Sequence, residues 1–286
     1  MQSTIQTRAN RFSPAESFRR LALLALLAGA VSGCPVAPVE TRNPHVGLSE
    51  PVTGTDYWLY KPSYYDDLDA CPLVVTLHGT NPWDGRTRQI LEWRDTAERH
   101  GLIVVAPQLR STQGYVPVVP SVWYADEDKL RRDERAVLAV IDHVRRTHRI
   151  ATRVVRGPAA DANAPPPPSE KELVLLTGFS SGGFPLYYTG LRNPDQFDML
   201  IARDCNITRE MLEKIEITDA ARALPMAIYW GKDDVAIRDQ SWAAFRFLRE
   251  NRCFQTERKL IPGGHIRRPD VAFAMWAKRL PAEYRR

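Results

Sequence analysis

A chain of 286 residues with 44% hydrophobic side chains can bury a sizeable core, which excludes a protein disordered as a whole. Residues 1–33 set Arg8, Arg11, Arg19 and Arg20 against Glu16, and their net +3 taken from the total of +5 leaves +2. A nearly neutral remainder has no electrostatic footprint for nucleic acid, and none is expected as a partner.

The N-terminal arginines precede a short apolar run, Leu21 to Ala30, too short to span a bilayer and suited to the core of a signal peptide. Val31-Ser32-Gly33-Cys34 resembles the bacterial lipobox, whose cysteine becomes the lipid-modified first residue. An ordinary secretory signal, with Cys34 a bystander, is the other reading. Arg19-Arg20 fits twin-arginine export only in part, so Sec export is expected. Residues 1–33 thus read as signal peptide. Residues 34–54, Pro-rich and aperiodic, read as a tether holding an exported domain to a membrane through Cys34, facing the periplasm or the cell exterior. Cys71, Cys205 and Cys253 show no C-x-x-C or Cys/His spacing, so no metal site is expected. Cys205–Cys253, both near strand ends, is the preferred disulfide, and Cys71 reads as a buried thiol.

The domain itself is expected over 55–286. Thr55 to Lys61 alternates aromatic and polar residues and predicts an antiparallel edge strand. Pro72 to Thr80 predicts a buried strand ending in His78-Gly79, before a loop of turn residues that contains Trp83. Thr87 to His100 has helical spacing and stops at Gly101; Leu102 to Ala106 is a further buried strand. Gln108 to Asp126 is aperiodic and aromatic, and its Trp123 and Tyr124 read as substrate contacts, with plain surface packing the alternative. Asp128 to His148 predicts an amphipathic helix. Gly157 to Lys171, with four consecutive prolines, predicts an exposed insertion.

Leu173 to Leu176 then predicts a buried strand that runs into Gly178-Phe179-Ser180-Ser181-Gly182, a G-x-S-x-G sequence, and then a helix. In such a turn the central residue is strained and flanking side chains would strike backbone, which is why glycine stands at Gly178 and Gly182. Ser180 is presented as a nucleophile, and the Ser181 N–H, at a helix start, is placed to hold an oxyanion. Strands are expected over Phe197–Ala202, Pro225–Trp230 and Arg258–Ile261, and helices over Gln240–Arg249 and Pro269–Lys278. Gly231-Lys232-Asp233-Asp234 and Pro262-Gly263-Gly264-His265 close the last strands.

With these residues in place the chain resembles the α/β-hydrolase superfamily, and within it the polyhydroxybutyrate depolymerase, feruloyl esterase and acetylxylan esterase group. The resemblance runs from about Leu73 to His265 and rests on Leu73 to Thr80, Ala97 to Val104, the Trp123 loop and Gly178 to Gly183. It implies an α/β fold with a mostly parallel central sheet, helices on both faces and a single domain. It also implies a triad in the chain order Ser180, Asp234, His265, with Asp233 as the alternative acid, and Thr80 as the second oxyanion donor. His78 is then structural, orienting its loop. The expected activity is serine-dependent hydrolysis of carboxylic esters without a cofactor. The substrate is a small or polymer-derived ester near Trp83, Trp123 and Tyr124, with acylated carbohydrate or aromatic esters as candidates. A serine peptidase of the same fold and a non-catalytic binding or scaffold lipoprotein are the alternatives.

Overall fold

The computed structural model describes residues 44–112, 126–156 and 168–285, all within one compact unit spanning 40–286. Cys34, Trp123, Tyr124 and the prolines Pro165 to Pro167 lie outside the described residues. No helix among the described residues is long and apolar enough to cross a membrane.

An eight-stranded sheet is built from β1 (Val46–Ser49), β2 (Asp56–Tyr60), β3 (Leu73–Leu77), β4 (Ile103–Pro107), β7 (Val174–Ser180), β8 (Met199–Cys205), β9 (Met226–Gly231) and β10 (Thr256–Ile261), in the order β1-β2-β4-β3-β7-β8-β9-β10. From β4 to β10 every pair is parallel, whereas β1 and β2 are antiparallel additions. Parallel central strands are covered on both faces, so β3, β4 and most of β7 appear as continuous apolar runs. Alternation divides their side chains between two cores. Leu73, Val75 and Leu77 share a core with α2 (Glu127–Thr147), α3 (Gly183–Arg192), the short α4 (Arg209–Glu213) and α5 (Asp219–Ala223), and α6 (Val235–Glu250). Val74, Val104 and Leu175 meet α1 (Arg86–His100) and α7 (Pro269–Ala277). The mostly parallel sheet with helices on both faces is the expected architecture.

Local signals set the helix ends. Gly101, at φ 65°, closes α1 in the left-handed conformation that glycine adopts without a steric cost, and Asp126 Oδ1 accepts the Lys129 N–H to open α2.

Three expectations need correction. Residues 34–54 are not tether throughout: Val46–Ser49 pairs with β2 and takes the edge position expected of β2 itself, and Glu50 is buried, accepting the Thr53 N–H at 2.8 Å. The exposed insertion is shorter than 157–171, because β6 (Pro168–Glu172) pairs antiparallel with β5 (Thr152–Arg156) as a separate hairpin. Cys205 and Cys253 are unpaired, buried thiols, as is Cys71. Both do lie near strand ends, but opposite ones. Cys205 closes β8 at the carboxyl edge of the sheet, and Cys253 precedes Thr256, which is in register with Met226 at the amino edge. Burial pushes the Cys71 and Cys205 thiols up to about 12.

Candidate active site

The carboxyl ends of β3, β7, β8, β9 and β10 converge on one edge of the sheet, and each delivers a polar residue there. β7 ends at Ser180, which sits at φ 53°. The glycine requirement is steric. A Cβ on Gly178 would lie 2.5 Å from Gly182 O, and one on Gly182 would lie 2.6 Å from Leu77 O and 2.7 Å from His78 O. The turn therefore packs directly against the end of β3. The Ser180 hydroxyl donates to Asn206 Oδ1 at 3.4 Å, while the Asn206 N–H donates to Ser180 O at 2.8 Å.

His265 follows β10, and its Nδ1–H donates to Asp234 Oδ2 at 2.7 Å. An ionised carboxylate only accepts, so this bond places the ring proton on Nδ1 and leaves the Nε2 lone pair open. The other oxygen, Asp234 Oδ1, accepts the Ile237 N–H at 3.1 Å and caps α6. That cap fixes the carboxylate, because the helix begins at Val235 and not near the expected Gln240. Asp233, one residue earlier, is exposed, and its backbone N–H donates to Gly263 O.

A second carboxylate, absent from the sequence reading, stands behind this pair. Asp204, buried and at φ 49°, accepts the Ile266 N–H at 2.8 Å and the Gly231 N–H at 3.2 Å. It thereby joins the loop of Asp234 to the loop of His265. Burial raises its pKa above the ordinary aspartate value, with both N–H donors opposing. Asp204, Asp234 and His265 offer ligand atoms within 4.8 Å of one another; Asp204 accepts backbone N–H groups, and Asp234 accepts the His265 Nδ1–H.

Across the nucleophile lies the loop after β3. The N–H groups on either side of Thr80 are both anchored: Gly79 N–H donates to Asp84 Oδ2 at 2.7 Å, and Asn81 N–H to Thr112 O at 3.2 Å. Thr80 Oγ1 donates to Ser181 Oγ at 3.0 Å, joining the two expected oxyanion residues. Among the described residues the Ser181 N–H has no acceptor. His78 is buried beneath the loop, and its Nε2 accepts the Leu109 N–H at 3.1 Å. Burial lowers its pKa and keeps the ring neutral, in keeping with a structural role.

Beneath Asp84 a buried network ties the loop to the sheet. Gln89 Nε2 donates to Asp84 Oδ2 at 2.8 Å. The fully buried Arg203 donates to Thr177 Oγ1 at 3.0 Å, to Thr76 Oγ1 at 2.9 Å and to Gln89 Oε1, and reaches Glu92 at 4.0 Å. Burying a guanidinium is costly unless its donors are satisfied; acceptors from three other elements take Nε and Nη2, while Nη1 is left with the Glu92 charge at 4.0 Å and no hydrogen bond.

Thr80, Trp83, Asp84, Phe179, Ser180, His265 and Arg267 line a cleft of about 320 Å³. Trp83 is 59% exposed at its rim. The structure thus brings together Ser180, His265, Asp234, Thr80, Ser181 and Trp83. Asp84, Arg203, Asp204, Asn206 and Arg267 are additional. One signal pointed to three of them: with β8 followed to Cys205 and not stopped at Ala202, Arg203, Asp204 and Asn206 fall at the strand end where sites of parallel sheets form.

The sequence matches no family model and no curated protein. Solved structures do match. A ferulic acid esterase of the anaerobic fungus Anaeromyces mucronatus superposes with a TM-score of 0.57 at 16% identity, over 80% of this chain and 87% of that one. A further ferulic acid esterase gives 0.53 at 16% identity, over 85% and 97%. A lidless α/β serine hydrolase of Xanthomonas campestris gives 0.51 at 18% identity, over 87% and 99%. Likeness at such identities carries the fold and nothing finer, and on it this chain has an α/β-hydrolase fold.

Proposed function

We propose that the protein is a serine hydrolase that cleaves carboxylic esters through an acyl-enzyme intermediate. The observation that carries this reading is the His265 Nδ1–H bond to Asp234 at 2.7 Å, in the cleft that also holds Ser180 at the strained end of β7. A serine hydroxyl is a weak nucleophile near neutral pH and needs a base. His265 Nε2 takes its proton as Oγ attacks the carbonyl carbon. The Ser181 and Thr80 N–H groups receive the oxyanion, each such donor contributing roughly 3 kcal/mol to the barrier reduction. Nε2 then returns the proton to the departing alcohol, and water releases the acid by the same steps in reverse order. Trp83 at the rim favours a substrate with a planar or sugar ring, and the fold likeness to ferulic acid esterases supports an ester substrate.

Intact-mass analysis after treatment with a fluorophosphonate tests the nucleophile without knowledge of the substrate. One adduct, on Ser180, is expected, together with faster turnover of an ester than of the amide of the same acyl group. Faster amide turnover would make the protein a peptidase, and a folded protein that forms no adduct would be a binding protein.

Export and lipidation belong to the same proposal, supported by the lipobox-like Val31 to Cys34. In a bacterial host the protein is expected in the membrane fraction with a diacylglyceryl group on Cys34, and in the soluble fraction after Cys34→Ser. An unmodified N-terminal peptide beginning elsewhere would sink the anchor.

A further inference from the structure

Arg267 lies two residues beyond His265 and lines the same cleft, yet the proposed chemistry assigns it nothing. Its side chain is 26% exposed, and its two ends face different surroundings. Nε is buried, 2.8 Å from Glu92 Oε1 and 3.6 Å from Asp84 Oδ1. Neither terminal amino group hydrogen-bonds to a described residue. The guanidinium lies over the Phe179 ring at 4.6 Å, and the same ring stands 4.6 Å from the His265 imidazole. The Nε end of a planar cation is thus placed by ion pairing, without an aligned hydrogen bond, and by an aromatic face, and the terminal donors are left for a ligand in the cleft. This is the fork geometry by which arginine holds carboxylates with two parallel bonds, with little ordering left to occur on binding.

The charge balance around it points the same way. Two guanidinium groups, Arg203 and Arg267, share Glu92, and Asp84 is the other acid in contact. Burial pushes Glu92 up to about 7, against the pull of Arg203 and Arg267 and with Asp84 adding to the rise; Arg88 of its own helix pulls down more weakly. Near neutral pH Glu92 is only partly ionised, and the cluster keeps an excess of positive charge beside the cleft.

We propose that Arg267 makes the cleft selective for esters carrying a carboxylate a few bonds from the scissile carbonyl, held by its two terminal amino groups. This rests on the esterase reading of Ser180. It commits the substrate to half-esters of dicarboxylic acids or esters of similarly placed acids, which on hydrolysis release a dianion and a neutral alcohol.

The test compares monoethyl glutarate and monoethyl adipate with their carbamoyl isosteres, in which a neutral amide replaces the carboxylate, following ethanol release at pH 7. The full-length protein is expected to favour the carboxylate by at least about tenfold in kcat/KM, mostly through KM, as a charge-assisted bidentate contact should. Arg267→Gln should bring that ratio close to one, and Arg267→Lys, which keeps the charge without the fork, should retain part of it. Because a ratio within one variant is read, a general loss of activity does not mimic the result. Equal turnover of charged and neutral esters by the wild type, or an unchanged ratio in Arg267→Gln, overturns the proposal and leaves the esterase reading standing. Failure of every ester, with no fluorophosphonate adduct on Ser180, overturns both.

Discussion

Ser180→Ala is expected to abolish the fluorophosphonate adduct and to lower kcat/KM for any accepted ester by about ten-thousand-fold or more. What remains would come from substrate binding and the oxyanion donors alone. Asp234→Asn should cost about a thousandfold or more, through the proton position and not through the fold. In the variant the amide oxygen can still accept the Ile237 N–H and cap α6, which turns the NH2 group toward His265. Two donors then face each other, Nδ1 must give up its hydrogen, and the proton moves to Nε2, where the base is needed. Asp233→Asn, on an exposed side chain, should change kcat/KM by less than about threefold. Rates of fluorophosphonate labelling and of ester turnover measure all three. An adduct that persists in Ser180→Ala would remove the nucleophile from the proposal. A loss of under about tenfold in Asp234→Asn would mean that Asp204, the other carboxylate of the cluster, holds the histidine in its place.

The parallel strands were legible because burial on both faces writes a strand as an unbroken apolar run, as in Leu73 to Leu77, and the glycines around Ser180 were legible because close backbone approach excludes any Cβ. Elements whose reason lies elsewhere in the chain were not. All four residues of β1 are exposed, held by backbone pairing and by a bond from the Ser49 hydroxyl to Asp56, so no pattern marks Val46–Ser49. Arg203 and Asp204 look like the polar end of a strand, yet both are buried. What accommodates them is Thr76, Thr177, Gln89 and the N–H groups of Gly231 and Ile266, a set that no local window contains. The ambiguity between Asp233 and Asp234 had a local key: Asp234 caps a helix that starts at the next residue, and an earlier reading of that helix start would have favoured it.

Gly231→Ala is the substitution expected to damage fold and site together. A Cβ at this position would lie 1.9 Å from Gly264 O and 2.5 Å from Gly263 O, and rigid backbone cannot swing aside as a side chain would. Gly231 ends β9 three residues before Asp234, while Gly263 and Gly264 lead directly into His265. The absent side chain is therefore what lets the acid loop and the histidine loop lie in contact, and Asp204 secures that contact by accepting N–H groups from both. Forcing them apart should cost about 4 kcal/mol in urea unfolding, above the usual range for one substitution. It should also stretch the bond between His265 and Asp234. In whatever fraction of the variant remains folded, kcat for a neutral ester should then fall toward that of Asp234→Asn, since the loops carry the base and its acid. A variant with near wild-type stability and activity would show that the two loops can separate without consequence, and that Asp234 does not act on His265 through the geometry described.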